Sequence, residues 1–369
     1  MKPNLYGYSL IRKLLLLSAG LLAVQCAGPA RREEVPAEPE PEPAPAEGRA
    51  EDAEISMVLA NQAASNENYE EAARILENQL SATPRNLEVL RLLAQVYAAG
   101  GRADESSRIW KRIYSLDRSD PDAAYEVASG LARDEEWRRV RQSLQDVLAA
   151  GEADQRHYLM LGEANLKLGF RSSAEEYLKK AGGLERAETL LGELYYGRRK
   201  YSRAEKAFRA VLEKDPDNYS ANLHLGYINY RRKNYRPALT YYRRAVEAAP
   251  RNAHARLSLA ALYRAMGRND AAIESFRRGL KLPGVPPDEG RKAYNTLCVL
   301  LLRKGRYAET IRNAAEGAEK YPDSGGLHYY WGIALYKTGR RDEAKARFKR
   351  ASQDPLWKDE ALKKFHAIP

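Results

Sequence analysis

Small residues recur along this chain at a nearly fixed spacing: Ala60, Ala94, Ala128, Gly162, Gly192, Gly226, Ala260, Cys298 and Gly332 follow one another at steps of 34, 34, 34, 30, 34, 34, 38 and 34. A fixed period of this length means a solenoid, in which each unit buries its apolar face only by stacking on its neighbours. When every unit is numbered so that the small residue stands at position 8, apolar residues favour positions 4, 7, 8 and 11 and then 20, 24 and 27. Those are two stripes at helical spacing, so each unit predicts two amphipathic helices. Gly101, Gly169, Gly267, Gly305 and Gly339 stand between the stripes, where a tight turn favours a residue that adopts positive φ cheaply. Pro84, Pro216, Pro250 and Pro322 close their units, because proline cannot continue a helix interior.

The frame is clearest where Leu225 and Gly226 are followed by Tyr230, Tyr235, Ala238, Tyr242, Ala245 and Pro250. It resembles the tetratricopeptide repeat, whose small residues at 8, 20 and 27, aromatics near 11, 17 and 24 and proline at 32 are matched in Leu191 to Pro216 and Leu225 to Pro250. The resemblance covers residues 53–356 and implies an all-α, right-handed α-solenoid of about nine helix-turn-helix repeats. Departures are local: Ser106, Val140 and Thr310 replace alanine at position 20, and Arg199 and Lys233 replace glycine at position 15. The short step removes residues near Ala181 to Glu185 and the long step adds them in Pro283 to Gly290, so both changes are expected in connections between units. Trp357, Ala361, Leu362 and Phe365 form one more apolar stripe, read as a capping helix with a short tail over residues 357–369.

Residues 1–25 read as a signal peptide. Lys2, Arg12 and Lys13 precede the 11-residue apolar run Leu14 to Val24, too short to span a hydrocarbon core of ~30 Å at ~1.5 Å per residue. Cys26 follows at once, and Leu22-Ala23-Val24-Gln25-Cys26 resembles a bacterial lipobox. That resemblance implies a lipidated Cys26 as the mature N-terminus. Ala23 and Gln25 depart from the usual residues, as in the looser pattern of spirochaete lipoproteins. An ordinary cleaved secretory signal with an incidental cysteine is the alternative. Residues 27–52 hold six prolines and eight acids against three arginines, the composition of a disordered tether that reaches up to ~80 Å. With Cys26 at its head, residues 26–52 therefore separate a membrane anchor from the repeats.

The chain carries +11 overall; residues 1–26 hold +3 and residues 27–52 hold −5, which leaves 11 − 3 + 5 = +13 on the repeats and cap. An exported basic array meets little nucleic acid, so anionic envelope components or acidic proteins are the expected attractors and nucleic acid is not. Arg198, Arg199, Lys200, Arg232, Lys233, Arg268, Lys304, Arg306, Arg340 and Arg341 all fall between the two helices of repeats 5 to 9 and predict a basic edge, with a merely solvated surface as the alternative.

Positions 2, 5, 9, 12 and 13 lie on the first helix opposite its packing stripe, and the family resemblance implies that this face lines a groove for a protein or peptide partner. In repeats 5 to 9 it holds Tyr196, Tyr227, Tyr230, Arg231, Arg264, Asn295, Arg303, Tyr329, Tyr336 and Lys337. Tyrosine and arginine are the residue types that dominate binding hot spots; packing between neighbouring helices is the other reading of the position 12 tyrosines. Positions 5 and 9 hold Thr189 and Glu193, Leu223 and Tyr227, or Leu257 and Ala261, not the lysine and asparagine with which some family members clamp a C-terminal carboxylate.

No catalytic chemistry is legible. The five histidines show no metal-binding spacing, no cysteine pair completes a zinc site, and Cys298 at the small-residue position reads as a core thiol. No metal or cofactor is expected. The sequence points to a non-enzymatic scaffold, lipid-anchored in the bacterial envelope and most simply on the outer membrane facing the periplasm, where it organises an assembly machine. A surface-displayed lipoprotein that binds an external ligand is the alternative.

Overall fold

The computed structural model describes residues 46–369, with side chains from residue 52. The predicted signal peptide, Cys26 and the tether as far as residue 45 lie outside the described residues. Twenty helices and no strand occur among the described residues. They form nine successive pairs. The first four are α1 (Ala46–Ser65) with α2 (Tyr69–Ala82), α3 (Leu87–Ala99) with α4 (Ala103–Leu116), α5 (Pro121–Arg133) with α6 (Trp137–Ser143) and α7 (Gln145–Ala150), and α8 (Gln155–Lys167) with α9 (Arg171–Lys180). The next five are α10 (Glu185–Gly197) with α11 (Tyr201–Lys214), α12 (Tyr219–Arg231) with α13 (Tyr235–Ala248), α14 (Ala253–Ala265) with α15 (Asn269–Leu280), α16 (Pro287–Arg303) with α17 (Tyr307–Lys320), and α18 (Gly325–Lys337) with α19 (Arg341–Ala351). A last helix, α20 (Lys358–His366), lies against α19.

From α3 onward each first helix packs on its own second helix, and each second helix on the first helix of the next pair. The core is accordingly a row of local clusters, each bridging adjacent pairs, such as the one that joins Leu178 through Phe208 to Ile228. This is an α-solenoid of nine helix pairs closed by α20.

Three local rules recur along the array. Asn86, Asp120, Asp154, Asn218 and Asn252 stand immediately before first helices, and each side-chain oxygen accepts from a backbone N–H in the first turn. The turn at position 15 is left-handed throughout. Gly101, Gly169, Gly267, Gly305 and Gly339 take it freely, whereas Glu67, Glu135, Arg199 and Lys233 adopt φ of 60°, 58°, 57° and 63° at about 1–2 kcal/mol each. Loss of glycine therefore leaves the turn shape intact and adds strain. Finally, positions 8 and 24 match in size. A Cβ on Gly162, Gly192, Gly226 or Gly332 would come within 2.6, 2.6, 2.6 or 2.8 Å of Leu178, Phe208, Tyr242 or Phe348. In the unit with Cys298 at position 8, position 24 shrinks to Ala314, and both are fully buried.

The departures at position 20 are absorbed. The Ser106 hydroxyl donates to the Ala94 carbonyl at 2.8 Å and the Thr310 hydroxyl to the Arg306 carbonyl at 3.0 Å, which leaves neither unsatisfied in the core. Val140 is fully buried, but its helix breaks one turn later between α6 and α7. There the Ser143 hydroxyl donates to the Val140 carbonyl, the acceptor that a continuous helix would use for Leu144.

Two boundaries differ from the sequence reading. Helix α1 begins at Ala46, so residues 46–52, assigned to the tether, are helical; the prolines that oppose a helix stop at Pro45. The four-residue insertion is also not wholly a loop. Pro287 to Gly290 form an extra first turn of α16, favoured by Pro287 at its start and by Asp288 and Glu289 at its positive end.

Candidate partner-binding face

The first helices α8, α10, α12, α14 and α16 present positions 2, 5, 9, 12 and 13 away from their own second helices. Position 2 carries a polar ladder between units. Arg156 donates to Asp122 at 3.0 Å, Arg186 to Glu163 at 2.9 Å and Ser220 to Glu193 at 2.8 Å, and His254 Nδ1 lies 2.9 Å from both carboxylate oxygens of Glu289. The Glu289 carboxylate holds the His254 pKa above the usual imidazole value. Position 5 points inward: Thr189, Leu223 and Leu257 are buried, and of these Leu257 forms part of a cavity wall.

Between α10 and α12 lies an aromatic cluster. The half-buried Tyr196 ring meets Tyr227 edge-on at 5.3 Å, His224 at 4.7 Å and Tyr201 at 5.9 Å, while His224 stacks on Phe208 at 4.8 Å. Burial lowers the His224 pKa, so the ring is neutral near pH 7, and its Nδ1–H donates to the Ser220 carbonyl at 2.8 Å. Next along the face, α14 and α16 enclose a cavity of about 180 Å³ lined by Leu257, Ala261, Arg264, Phe276, Glu289, Lys292 and Thr296. That volume lies below the ~300 Å³ at which small-molecule pockets begin and suits one inserted side chain. Larger hollows lie off this face. One of about 320 Å³ runs between α15 and α17, but its Arg277 is already paired with Glu309, and its Glu316 accepts from Tyr294 at 2.6 Å.

The structure sorts the predicted groove residues into three groups. Tyr196, Tyr227 and Tyr230 are half-buried and neighbour one another or α13, and Arg231 and Arg264 are exposed beside them. Arg303, Tyr336 and Lys337 are exposed farther along the array. Tyr329 and Asn295 do not belong to the face. Tyr329 is buried under the cap, its ring 4.9 Å from Trp357 and 5.8 Å from Phe348. Asn295 is wedged against Gly326, where its Oδ1 is buried without a partner.

The basic edge is divided as well. Arg198 pairs with Glu175 at 2.6 Å, Arg232 with Glu205 at 2.5 Å and Lys304 with Asp270 at 2.7 Å, each partner belonging to the preceding unit. Arg306 and Arg340 pair within their own helices with Glu309 and Glu343. These five staple the stack or a helix start. Arg199, Lys200, Lys233, Arg268 and Arg341 remain exposed and without an ion pair among the described residues.

Sequence reasoning missed the position 2 ladder, His224 and the lining of the cavity apart from Arg264. The ladder left a faint signal, an acid at position 9 followed 23 or 27 residues later by Arg186 or Ser220.

Family models of the tetratricopeptide repeat match residues 63–129, 189–253 and 230–282. The helix pairs that lie within residues 63–129 and 189–282 are therefore recognised as tetratricopeptide repeats. Among solved structures, the MamA protein is 23% identical over 48% of this chain and 94% of its own, with a TM-score of 0.42. YrrB, a tetratricopeptide-repeat protein with an unusual peptide-binding site, is 16% identical over 51% of this chain and 95% of its own, with a TM-score of 0.44. The Cut9–Hcn1 hetero-tetramer of APC/C is 13% identical over 82% of this chain and 59% of the matched chain, with a TM-score of 0.42. No curated protein sequence matches the chain.

Among the described residues, no group of three or more His, Cys, Asp or Glu side chains is arranged to hold a metal ion. No helix there is long and apolar enough to cross a membrane.

Proposed function

We propose that this tetratricopeptide-repeat array is a non-enzymatic scaffold that holds an extended or helical segment of a partner protein along the first helices of repeats 5 to 8. One observation carries the reading: half-buried Tyr196 and Tyr227, exposed Arg231 and Arg264 and a side-chain-sized cavity follow one another on successive first helices from α10 to α16. Rigid aromatic anchors beside a small pocket, with charges at the rim, are the parts from which peptide recognition is built. The unpaired cations Arg199, Lys200 and Lys233 flank the strip and attract an acidic partner or anionic envelope component without gripping it.

The anchor is part of the same proposal. Cys26 carries lipid, residues 27–45 act as a tether, and the array works at the bacterial envelope, on the outer membrane facing the periplasm, as an organiser of an assembly machine. A fatty-acid analogue should label the wild type and leave Cys26→Ser unlabelled; equal labelling would remove the anchor. Crosslinking the native protein and identifying its companions tests the scaffold, with Tyr227→Ala plus Arg264→Ala as the disrupted control. Capture that survives this control, or that a fragment of repeats 1 to 4 reproduces, would place the site elsewhere. Protease treatment of intact cells separates a periplasmic scaffold, which is protected, from a surface-displayed receptor, which is cut.

A further inference from the structure

We propose that the N-terminal end of the array is a self-association surface, through which two copies pair α1 against α1 around a two-fold axis. The argument starts from position 3 of each unit. In all eight later repeats, from Val89 to Leu327, this residue is at most 4% exposed, because the second helix of the preceding unit covers it. Among the described residues no unit precedes the first repeat, and its position 3 is Ile55, 58% exposed. Val58 and Leu59, at positions 6 and 7, are 58% and 48% exposed beside it. These three residues form an i, i+3, i+4 stripe on a helix whose other face, Ala53 and Ala60, is buried against α2. The end of the stack thus keeps the stacking face of an interior unit with nothing among the described residues stacked on it.

Three observations select a second copy as the occupant. The C-terminal end cannot serve, because α20 closes it: Ala361 is fully buried there, and Trp357 packs 5.3 Å from Tyr330. Head-to-tail growth is therefore blocked and only the isologous contact remains among copies of this chain. The sequence just upstream, with six prolines between residues 27 and 45, is a poor source of a covering helix. Charge then fixes the direction. Asp52 and Glu54 lie at one end of the stripe, and Gln62, Ser65 and Asn66 at the other. Antiparallel pairing centred on Val58 and Leu59 sets each acid against an uncharged residue of the second copy; parallel pairing would set Asp52 against Asp52. The pairing would present two binding strips from one assembly, so that a partner with two segments is held by both.

The test uses the full chain in its own membranes. Val58→Cys, treated with a mild oxidant, should give a disulfide-linked product of twice the chain mass that the wild type, with only Cys26 and Cys298, does not give. Leu116→Cys, also exposed but on α4, should give none. Adding Ile55→Asp to Val58→Cys should reduce the product at least tenfold while helicity is unchanged, and Leu59→Cys repeats the measurement should Val58→Cys accumulate poorly. No product from either cysteine, equal product from Leu116→Cys, persistence through Ile55→Asp, or a product of another mass would each overturn the proposal.

Discussion

The size match between positions 8 and 24 makes a quantitative prediction at Gly226. A Cβ there would lie 2.6 and 2.7 Å from Cδ1 and Cε1 of Tyr242, about 1 Å inside ordinary carbon contact at ~3.5–4.0 Å. Tyr242 is only 2% exposed and its ring is hemmed in by the neighbouring pair, so the helices must part or the ring must leave its rotamer. Gly226→Ala should cost about 1–3 kcal/mol, the usual range for overpacking. Tyr242→Ala, which opens a cavity instead, should cost about 3–5 kcal/mol. The double variant, alanine at both positions, moves toward the arrangement of Cys298 over Ala314, where position 24 has shrunk to make room at position 8, and should be more stable than the sum of the single changes by at least ~1 kcal/mol. Urea unfolding followed by circular dichroism measures the coupling. Hydrogen exchange should place the loss in residues 219–248 and adjoining helix faces, because a stack of units fails locally before it fails as a whole. Additive costs within ~0.5 kcal/mol, or loss of protection spread evenly over the array, would refute the reasoning.

Three other outcomes are expected. His254 should titrate above the usual imidazole value by NMR and fall in Glu289→Gln, where only the lowering effect of burial remains; since its folded pKa is raised, its pairing is complete below the unfolded pKa and fades as pH rises through the folded one, and any stabilisation across α14 and α16 weakens with it. Arg199→Gly and Lys233→Gly relieve a left-handed backbone at the expense of a more flexible unfolded chain, and each should raise stability by about 0.5–1 kcal/mol in thermal unfolding; destabilisation would mean that the side chains hold the turn. The Cys298 thiol, pushed up to about 12 by burial, should resist a thiol reagent at pH 8 until the array unfolds, and rapid labelling of the native protein would contradict its place in the core.

The sequence by itself determined the period, the two helices per unit, the number of units and the cap, because all of these follow from local repetition. A small residue at 8, a bulky one at 24 and a cap before position 1 each act within about 34 residues of chain. Even the non-glycine turns at Arg199 and Lys233 kept the geometry that the repeat demands. Only the tertiary structure decided which repeated residues are available. Tyr227 and Tyr329 fall on one broad face of a helical wheel, yet Tyr329, at the inward position 5, lies beneath Trp357 just ahead of α20, while Tyr227 at position 9 stays half-buried. Arg198 and Arg199 are neighbours in sequence, but Glu175 of the preceding unit reaches only the first. In the same way the exposure of Ile55 follows from the absence of a preceding unit among the described residues, not from its own helix. Periodicity fixes which face a side chain leaves from; the contacts across the next unit fix what that side chain is free to do.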